Sequence, residues 1–207
     1  MYPEYVEVEG KRYKINTDFR VAIECNRIAE DDSIGNLERA MAIIYTLFGD
    51  EGINTPDHYE KLLELAQKYL LCGKELEGNI NDKPDMDYIE DMDYIEASFM
   101  SDYHIDLASE NMHWWKFSNL MNGLSNSEMG NCCVLNRIRN LRTFDVSEIK
   151  DKKERDKILK AKKQVELKKY KNRNKKKATE KEKQSAMNFL NKLRKEWFNG
   201  RTSYNWN

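Results

Sequence analysis

The sequence predicts a mainly α-helical bundle, with a short β-hairpin at its N-terminal end and a basic helical extension at its C-terminal end. Three observations predict this class. As far as Leu141, apolar residues recur every three or four positions through most of the chain, which is the spacing of one helical face. The first segment alternates instead, as a half-buried strand does. Beyond residue 149, lysine replaces most apolar residues, so a helix there has little surface to bury.

The charge of the chain is divided between these two parts. The formal net charge is only −1 over 207 residues. Residues 1–149, however, hold 14 Lys and Arg against 29 Asp and Glu, a balance of −15, and residues 150–207 hold 21 against 7, a balance of +14. We therefore predict an acidic core domain over 1–149 and a basic extension over 150–207. The extension would bind nucleic acid, an acidic partner, or the acidic body of another copy.

The N-terminal segment predicts a hairpin followed by a helix. Residues 5–8 and 12–15 alternate on either side of Gly10, which supplies the turn. Thr17 and Asp18 are N-cap candidates for a helix over Phe19–Ala29. A lone hairpin is marginally stable in water, so this one must pack on a helix or pair between subunits.

Two further helices are expected before residue 74. Ser33 is the predicted cap of the first, which runs to Phe48 and ends at Gly49. Its predicted buried face consists of Ile34, Leu37, Met41, Ile44 and Phe48. Thr55 and Pro56 start the next helix, which ends near Gly73.

A polar, acidic stretch over 74–93 reads as a linker, and it contains a tandem repeat. The hexapeptide DMDYIE occurs at 85–90 and again at 91–96. We expect the second copy to begin a helix that ends at Tyr103; the first copy either extends this helix or belongs to the linker. The most apolar helix follows over 112–124, and the capping-box spacing of Ser125 and Glu128 opens a sixth helix that runs to Leu141.

The residues that carry catalysis or bind metals in other proteins are sparse. The chain has no GxSxG, P-loop or Rossmann glycine motif. His104, Asp106 and His113 lie close in sequence, but their spacing matches no zinc motif. The four cysteines show no CxxC pair, which favours free thiols. We therefore predict that the chain is not an enzyme and takes no metal or cofactor.

No apolar run approaches the roughly 18 residues of a membrane span, and the N-terminus lacks the apolar stretch of a secretory signal. No membrane partner is therefore expected.

Partner binding is the better-supported class of function. The run from Lys168 to Lys177 holds seven basic residues in ten, and residues 186–197 repeat apolar side chains at helical spacing. Only Tyr170 interleaves with the lysines as a stacking aromatic, so a platform for single-stranded nucleic acid is not expected. The run is either a solvated, highly charged helix or a site for a partner protein, and nucleic acid is the third alternative. Trp115 lies beside the predicted buried face of its helix and is either core or an exposed anchor. The candidate binding residues are Lys168, Lys169, Lys171, Arg173, Lys175, Lys176, Lys177, Phe189, Leu193, Trp197 and Trp115.

Five short motifs lie between residues 17 and 124: TDFR at 17–20, YIEASF at 94–99, DYHIDL at 102–107, MHWWKF at 112–117 and GL at 123–124. In this order they resemble the bacteriophage gp-fifteen family, found in long-tailed phages and prophages of Gram-positive bacteria. The resemblance covers residues 15–145 and extends to the tail only through its lysine-rich composition. The duplicated hexapeptide and MGNCC at 129–133 depart from the family pattern.

The resemblance implies a non-catalytic role in tail morphogenesis, because this family is usually encoded beside the tape-measure protein. The first expectation is an assembly chaperone that binds the tape-measure protein or other tail proteins in the host bacterial cytoplasm. The second is a structural component that stays in the virion tail. A nucleic-acid-binding protein acting through the basic tail ranks third, since the acidic body would repel DNA. Association into a homo-oligomer is compatible with each.

Overall fold

The computed structural model describes residues 2–74, 84–126 and 132–168. These ranges form the strands β1 (Tyr5–Val8) and β2 (Lys11–Lys14), a 3₁₀ turn (Pro56–His58) and seven α-helices: α1 (Phe19–Ala29), α2 (Asn36–Ile53), α3 (Tyr59–Leu70), α4 (Met92–Tyr103), α5 (Trp114–Asn122), α6 (Val134–Thr143) and α7 (Lys152–Gln164). The mainly helical class with an N-terminal hairpin is therefore confirmed.

The chain divides into two compact units, Met1–Val165 and Glu166–Asn207, and every element above belongs to the first. The predicted basic extension beyond residue 168 lies outside the described residues. The predicted domain boundary between residues 149 and 150 stays a prediction.

The hairpin packs through one face onto the helices. Glu9 and Gly10 both have positive φ, 50° and 81°, as the tight turn of a two-residue hairpin requires. Val8 and Tyr13 are buried, and the Tyr13 hydroxyl lies 2.6 Å from Nδ1 of His58. Beyond β2, the Asn16 N–H donates to the Leu47 carbonyl at 2.8 Å. The hairpin is thus stabilised by α2 and by the turn before α3.

The first helix begins where the sequence predicts, and the second does not. The Asp18 carboxylate accepts from the Arg20 N–H at 2.8 Å and caps α1. In α2 the N-cap is Gly35, whose N–H donates to the Glu38 carboxylate at 2.9 Å. The predicted cap, Ser33, instead donates its hydroxyl to Asp31.

Gly49 bends α2 at the position where the sequence places its end. Its φ of 65° and ψ of −157° interrupt the helical geometry. The bend turns the last residues of α2 back against the helix. Gly52 consequently lies so near Ile44 and Phe48 that a Cβ there would meet both at 2.9 Å.

Stacked aromatic rings from three helices occupy the centre of the core. The ring of Phe117 on α5 stacks on Phe19 of α1 at 4.6 Å and on Phe99 of α4 at 5.2 Å. Trp114 lies 5.7 Å from Phe117. All four rings are buried. Such pairs contribute about 0.5–1.5 kcal/mol each beyond their area burial, so they fix how α1, α4 and α5 meet.

The two copies of DMDYIE adopt different structures. The first copy forms a turn in which the Asp87 carboxylate accepts from the N–H groups of Ile89 and Glu90, and the second forms the start of α4. Ile89 is 51% exposed, whereas the equivalent Ile95 is fully buried. The second aspartate of each copy reverses the pattern, since Asp87 is buried and Asp93 is exposed.

Each copy pairs its first aspartate with an arginine of α6. Asp85 pairs with Arg139 at 2.9 Å, and both side chains are about one-third exposed. Asp91 is completely buried and receives Arg142 in two parallel bonds of 2.6 and 2.7 Å. Arg139 and Arg142 lie one helical turn apart, so the repeat places two ion pairs along α6.

Arg142 also hydrogen-bonds two backbone segments that are remote from it in sequence. Its Nε donates to the Val165 carbonyl at 2.6 Å, just beyond α7, and its Nη1 donates to the Asp85 carbonyl at 2.9 Å. The Asp91 carboxylate accepts a third bond from the Asp87 N–H at 3.0 Å. The pair is therefore fully hydrogen-bonded, as a buried ion pair must be to be tolerated.

The sixth helix differs from the sequence prediction in its start and in its buried face, whereas α7 has little to bury, as the sequence predicts for this basic part of the chain. Cys133 is the N-cap of α6, and the Ser125 N–H donates to Asp102 at 2.8 Å instead of opening the helix. Glu128 lies outside the described residues. Leu135 and Asn136 form the buried face of α6, whereas the apolar Ile138 and Leu141, at the helical spacing of this segment, are half-buried. Helix α7 is capped by Asp151, which accepts from the Lys153 N–H at 2.7 Å, and none of its residues is buried.

Candidate partner-binding surfaces

Two of the predicted binding residues, Trp115 and Lys168, fall within the described part of the chain. Lys168 is exposed. The remaining candidates, from Lys169 to Trp197, lie outside the described residues. Their binding role stays a prediction.

Trp115 is half-buried at the start of α5, against the end of α3. Its indole N–H donates to the Tyr69 carbonyl at 2.9 Å, and the neighbouring Trp114 donates to the Leu70 carbonyl at 3.0 Å. The last carbonyls of a helix lack partners within the helix. The two tryptophans supply such partners to α3, and Trp115 is only partly buried there. A partner-binding role for Trp115 stays a prediction beside this structural one.

The N-termini of α1 and α5 are joined by a short antiparallel bridge between Asp18 and His113. The Phe19 N–H donates to the Met112 carbonyl at 2.9 Å, and the Trp114 N–H donates to the Thr17 carbonyl at 2.8 Å. The bridge thus pairs two segments that are remote in sequence and carry the cap of one helix each.

Arg20 joins a third segment to this bridge. Its guanidinium pairs with Asp18 at 3.0 Å and donates to the carbonyls of Leu107 and Glu110. The TDFR, DYHIDL and MHWWKF motifs therefore meet at one place in the fold. Periodicity does not reveal this meeting, because carbonyl acceptors have no signature in a sequence.

His113 is the N-cap of α5, a role that serine, threonine or aspartate more commonly fills. Its Nδ1 accepts from the Trp115 N–H at 3.0 Å, and its Nε2 lies 3.0 Å from the Pro3 carbonyl oxygen. The accepting Nδ1 carries no proton, so the neutral ring has its proton on Nε2 and donates to Pro3. His113 thereby fastens the N-terminal residues to α5.

Replacing His113 with alanine should destabilise the chain by about 1–2 kcal/mol, the cost of losing a helix cap. His113→Asn should recover most of this loss, because the asparagine side-chain oxygen can accept the same N–H. Urea unfolding of the full chain measures both. An asparagine variant as unstable as the alanine variant would show that the bond to Pro3, and not the cap, stabilises this corner.

An uncharged, partly exposed surface lies along α2. The ten residues from Ala40 to Gly49 include no charged side chain. Ile43, Ile44, Leu47 and Phe48 face the core, while Leu37 is 43% and Tyr45 55% exposed. We name Leu37, Met41, Ala42 and Tyr45 the α2 face; Met41 and Ala42 are half-buried.

The sequence prediction placed Leu37 and Met41 in the buried face, and for Leu37 the structure shows the opposite. α2 has apolar residues on nearly every side, so the spacing of these residues is compatible with more than one buried face. Packing against α1 and α3 selects the side that contains Ile43 and Leu47.

A cleft of about 710 Å³ lies between the C-terminal half of α4 and the start of α6. It is lined by Ala97, Ser101, Asp102, Tyr103, Gly123, Ser125, Cys132, Cys133, Val134 and Arg137. Burial alone would raise the pKa of Asp102, but hydrogen bonds from Ser125 and Ser101 outweigh it and hold this pKa below its usual value. The cleft therefore presents an ionised carboxylate that is already hydrogen-bonded.

The thiols of Cys25 and Cys132 are not activated. Burial raises the pKa of Cys25 to about 12. Burial, then the neighbouring Cys133, raises the pKa of Cys132 in the cleft. Because the thiolate is the nucleophile, a raised pKa makes these groups less reactive than a free cysteine.

Over residues 2–74, 84–126 and 132–168, no group of three or more His, Cys, Asp and Glu side chains is arranged to hold a metal ion. Within the same ranges, no helix combines the length and the apolar character needed to cross a membrane.

A protein-family model matches most of the chain. Searches of curated proteins and of solved structures returned no significant match. The family model of the bacteriophage Gp15 protein matches residues 2–167, which include every described helix and the three motifs that meet at the α1–α5 bridge. The chain therefore belongs to the bacteriophage Gp15 protein family.

Proposed function

We propose that the chain is a non-catalytic tail-morphogenesis protein that acts as an assembly chaperone for the phage tape-measure protein in the host cytoplasm. Membership of the bacteriophage Gp15 family carries the proposal. A tape-measure protein is a long helical chain whose apolar faces are exposed before the tail tube surrounds it. A protein that covers these faces would keep the client from aggregating.

The sequence of the C-terminal part supports binding of such a client. Phe189, Leu193 and Trp197 repeat at intervals of four residues, which suits packing of one amphipathic helix against another. The basic run from Lys168 to Lys177 would favour a client with acidic flanks and speed the encounter. The acidic body would discourage DNA as a competing partner.

A non-catalytic role is supported by how the chemically versatile side chains are used. The Cys25 and Cys132 thiols have raised pKa values. His58 hydrogen-bonds Tyr13, and His113 caps α5. His104 is the left-handed C-cap of α4, a backbone role that leaves its ring exposed.

Co-expression of the full chain with the tape-measure protein encoded beside it tests the proposal. We expect the client to remain in solution in a complex with several copies of the chain, as measured by affinity capture and light scattering. Replacing all seven basic residues of the run Lys168–Lys177 with glutamine should weaken capture about tenfold or more at low salt, because surface charges act mainly at low ionic strength.

The matched control replaces Lys152, Lys153 and Lys157 of α7 with glutamine; all three are exposed. This control should leave capture unchanged. A client that aggregates equally with and without the chain would contradict the chaperone proposal. Mass spectrometry of purified virions then distinguishes the alternative, because a structural tail component would be present there and a chaperone absent.

A further inference from the structure

The α2 face is apolar where a surface helix is normally charged. Leu37 and Tyr45, two turns apart, are each about half exposed. In a chain with 34% charged residues, a helical segment of ten uncharged residues is the composition of a buried helix. Exposed apolar surface of this kind marks an interaction site.

The size of the α2 face limits what can cover it. Leu37 and Tyr45 are separated by about 12 Å along the helix axis, at a rise of about 1.5 Å per residue. A stable interface between two folded surfaces buries about 800 Å² on each partner, which is more than two turns of one helix provide. A single amphipathic helix lying along α2 fits this length.

The charges around the α2 face indicate the chemistry of the occupant. Glu38 lies at one end, Asp50 and Glu51 at the other, and all three are exposed. Residues 1–149 as a whole carry a charge of −15, from 14 basic and 29 acidic residues. A helix with basic flanks would therefore be attracted, and one with acidic flanks repelled.

The chain itself contains a segment with these properties. Residues 186–197 carry Phe189, Leu193 and Trp197 at the same four-residue spacing as Leu37, Met41 and Tyr45. Lys192, Arg194 and Lys195 lie between them. Rows of side chains four residues apart on two helices interlock in the commonest mode of helix packing.

We propose that residues 186–197 of one copy bind the α2 face of a second copy, head to tail. In the sequence, the run Lys168–Lys177 lies between this segment and the described helices. Each copy offers one face and one segment, which is a heterologous contact. The inference concerns the chain alone and does not depend on the proposed client.

Light scattering of the full-length chain over a range of concentrations tests the inference. The wild type should show a mass above that of the monomer. Tyr45→Glu on the α2 face and Leu193→Glu in the segment should each reduce the mass to that of the monomer, with a dissociation constant raised at least about tenfold. Met100→Glu is the control, because Met100 is 47% exposed on α4 and should leave the association intact.

Mixing the two variants separates this contact from others. The Tyr45→Glu chain keeps an intact segment and the Leu193→Glu chain keeps an intact α2 face, so an equimolar mixture should form a heterodimer. Leu37→Glu replaces Tyr45→Glu if circular dichroism shows the latter to be unfolded. A monomeric wild type, as a contact within one chain would give, or a mixture that stays monomeric would overturn the inference. A Leu193→Glu chain that still associates with itself would also overturn it, because a contact between two α2 faces does not need the segment.

Discussion

Replacing Arg142 with methionine is expected to destabilise the folded chain by about 3–5 kcal/mol, because the variant leaves the Asp91 carboxylate buried without a counter-charge. Asp91 is fully buried, and two of the three hydrogen bonds described above for its carboxylate come from the Arg142 guanidinium. The substitution also removes the donors that reach the carbonyls of Val165 and Asp85. Urea unfolding measures the free-energy difference.

Arg139→Met is the matched control, one turn earlier on the same helix. Its pair with Asp85 is about one-third exposed on both sides, so its loss should cost no more than about 1 kcal/mol. Combining Asp91→Asn with Arg142→Met removes both charges and should recover about half of the loss caused by Arg142→Met alone. Equal effects of Arg139→Met and Arg142→Met would contradict the assignment of Arg142 as the buried anchor.

Local sequence predicts those elements whose residue pattern is compatible with only one structure. The hairpin around Gly10, the Asp18 cap and the face of α3 that buries Leu62, Ala66 and Tyr69 all follow from spacing and cap chemistry. Each depends on residues within a few positions of one another. No tertiary contact is needed to select among alternatives.

Prediction from sequence fails where one residue pattern fits two structures and tertiary contacts decide which of them forms. Arg142 lies in a basic helix and reads as a solvated side chain, yet only 10% of it is exposed. α2 has apolar residues on nearly every side, so its period could not exclude Leu37 from the core. The two copies of DMDYIE have the same local pattern and fold differently.

The candidate binding surfaces show the same contrast between local patterns and tertiary contacts. The sequence leaves two alternatives for Trp115, a core residue or an exposed anchor for a partner. Its hydrogen bond to the Tyr69 carbonyl depends on a backbone acceptor that no sequence pattern shows. Sequence analysis does not identify the α2 face as a surface, because it assigns apolar residues on a helix to the core first. The run of ten uncharged residues from Ala40 to Gly49 is the sequence feature that could have indicated an apolar surface on α2.

Deleting one copy of the hexapeptide should leave α4 intact and cost about 2–4 kcal/mol. Deletion of 85–90 or of 91–96 gives the same protein, because the copies are identical and adjacent. The remaining copy can take the position of the second, with its aspartate on Arg142 and its isoleucine in the core. The largest side chain lost from the core is Tyr88, whose ring lies 5.7 Å from Trp114 and 6.3 Å from Phe117; the half-buried Met86 is lost with it.

Tyr88→Ala in the full chain separates the ring from the rest of the copy. Truncating a large aromatic side chain costs about 3–5 kcal/mol when it is fully buried, and Tyr88 is half-buried, so the lower part of that range applies. The deletion should match Tyr88→Ala within about 1 kcal/mol, since the exposed Ile89 and the partly exposed Asp85–Arg139 pair add little. Circular dichroism should show unchanged helix content. A deletion variant that is unfolded while Tyr88→Ala is folded would mean that the turn built by Asp87 is needed to start α4, and that the first copy has become part of the fold rather than an addition to it.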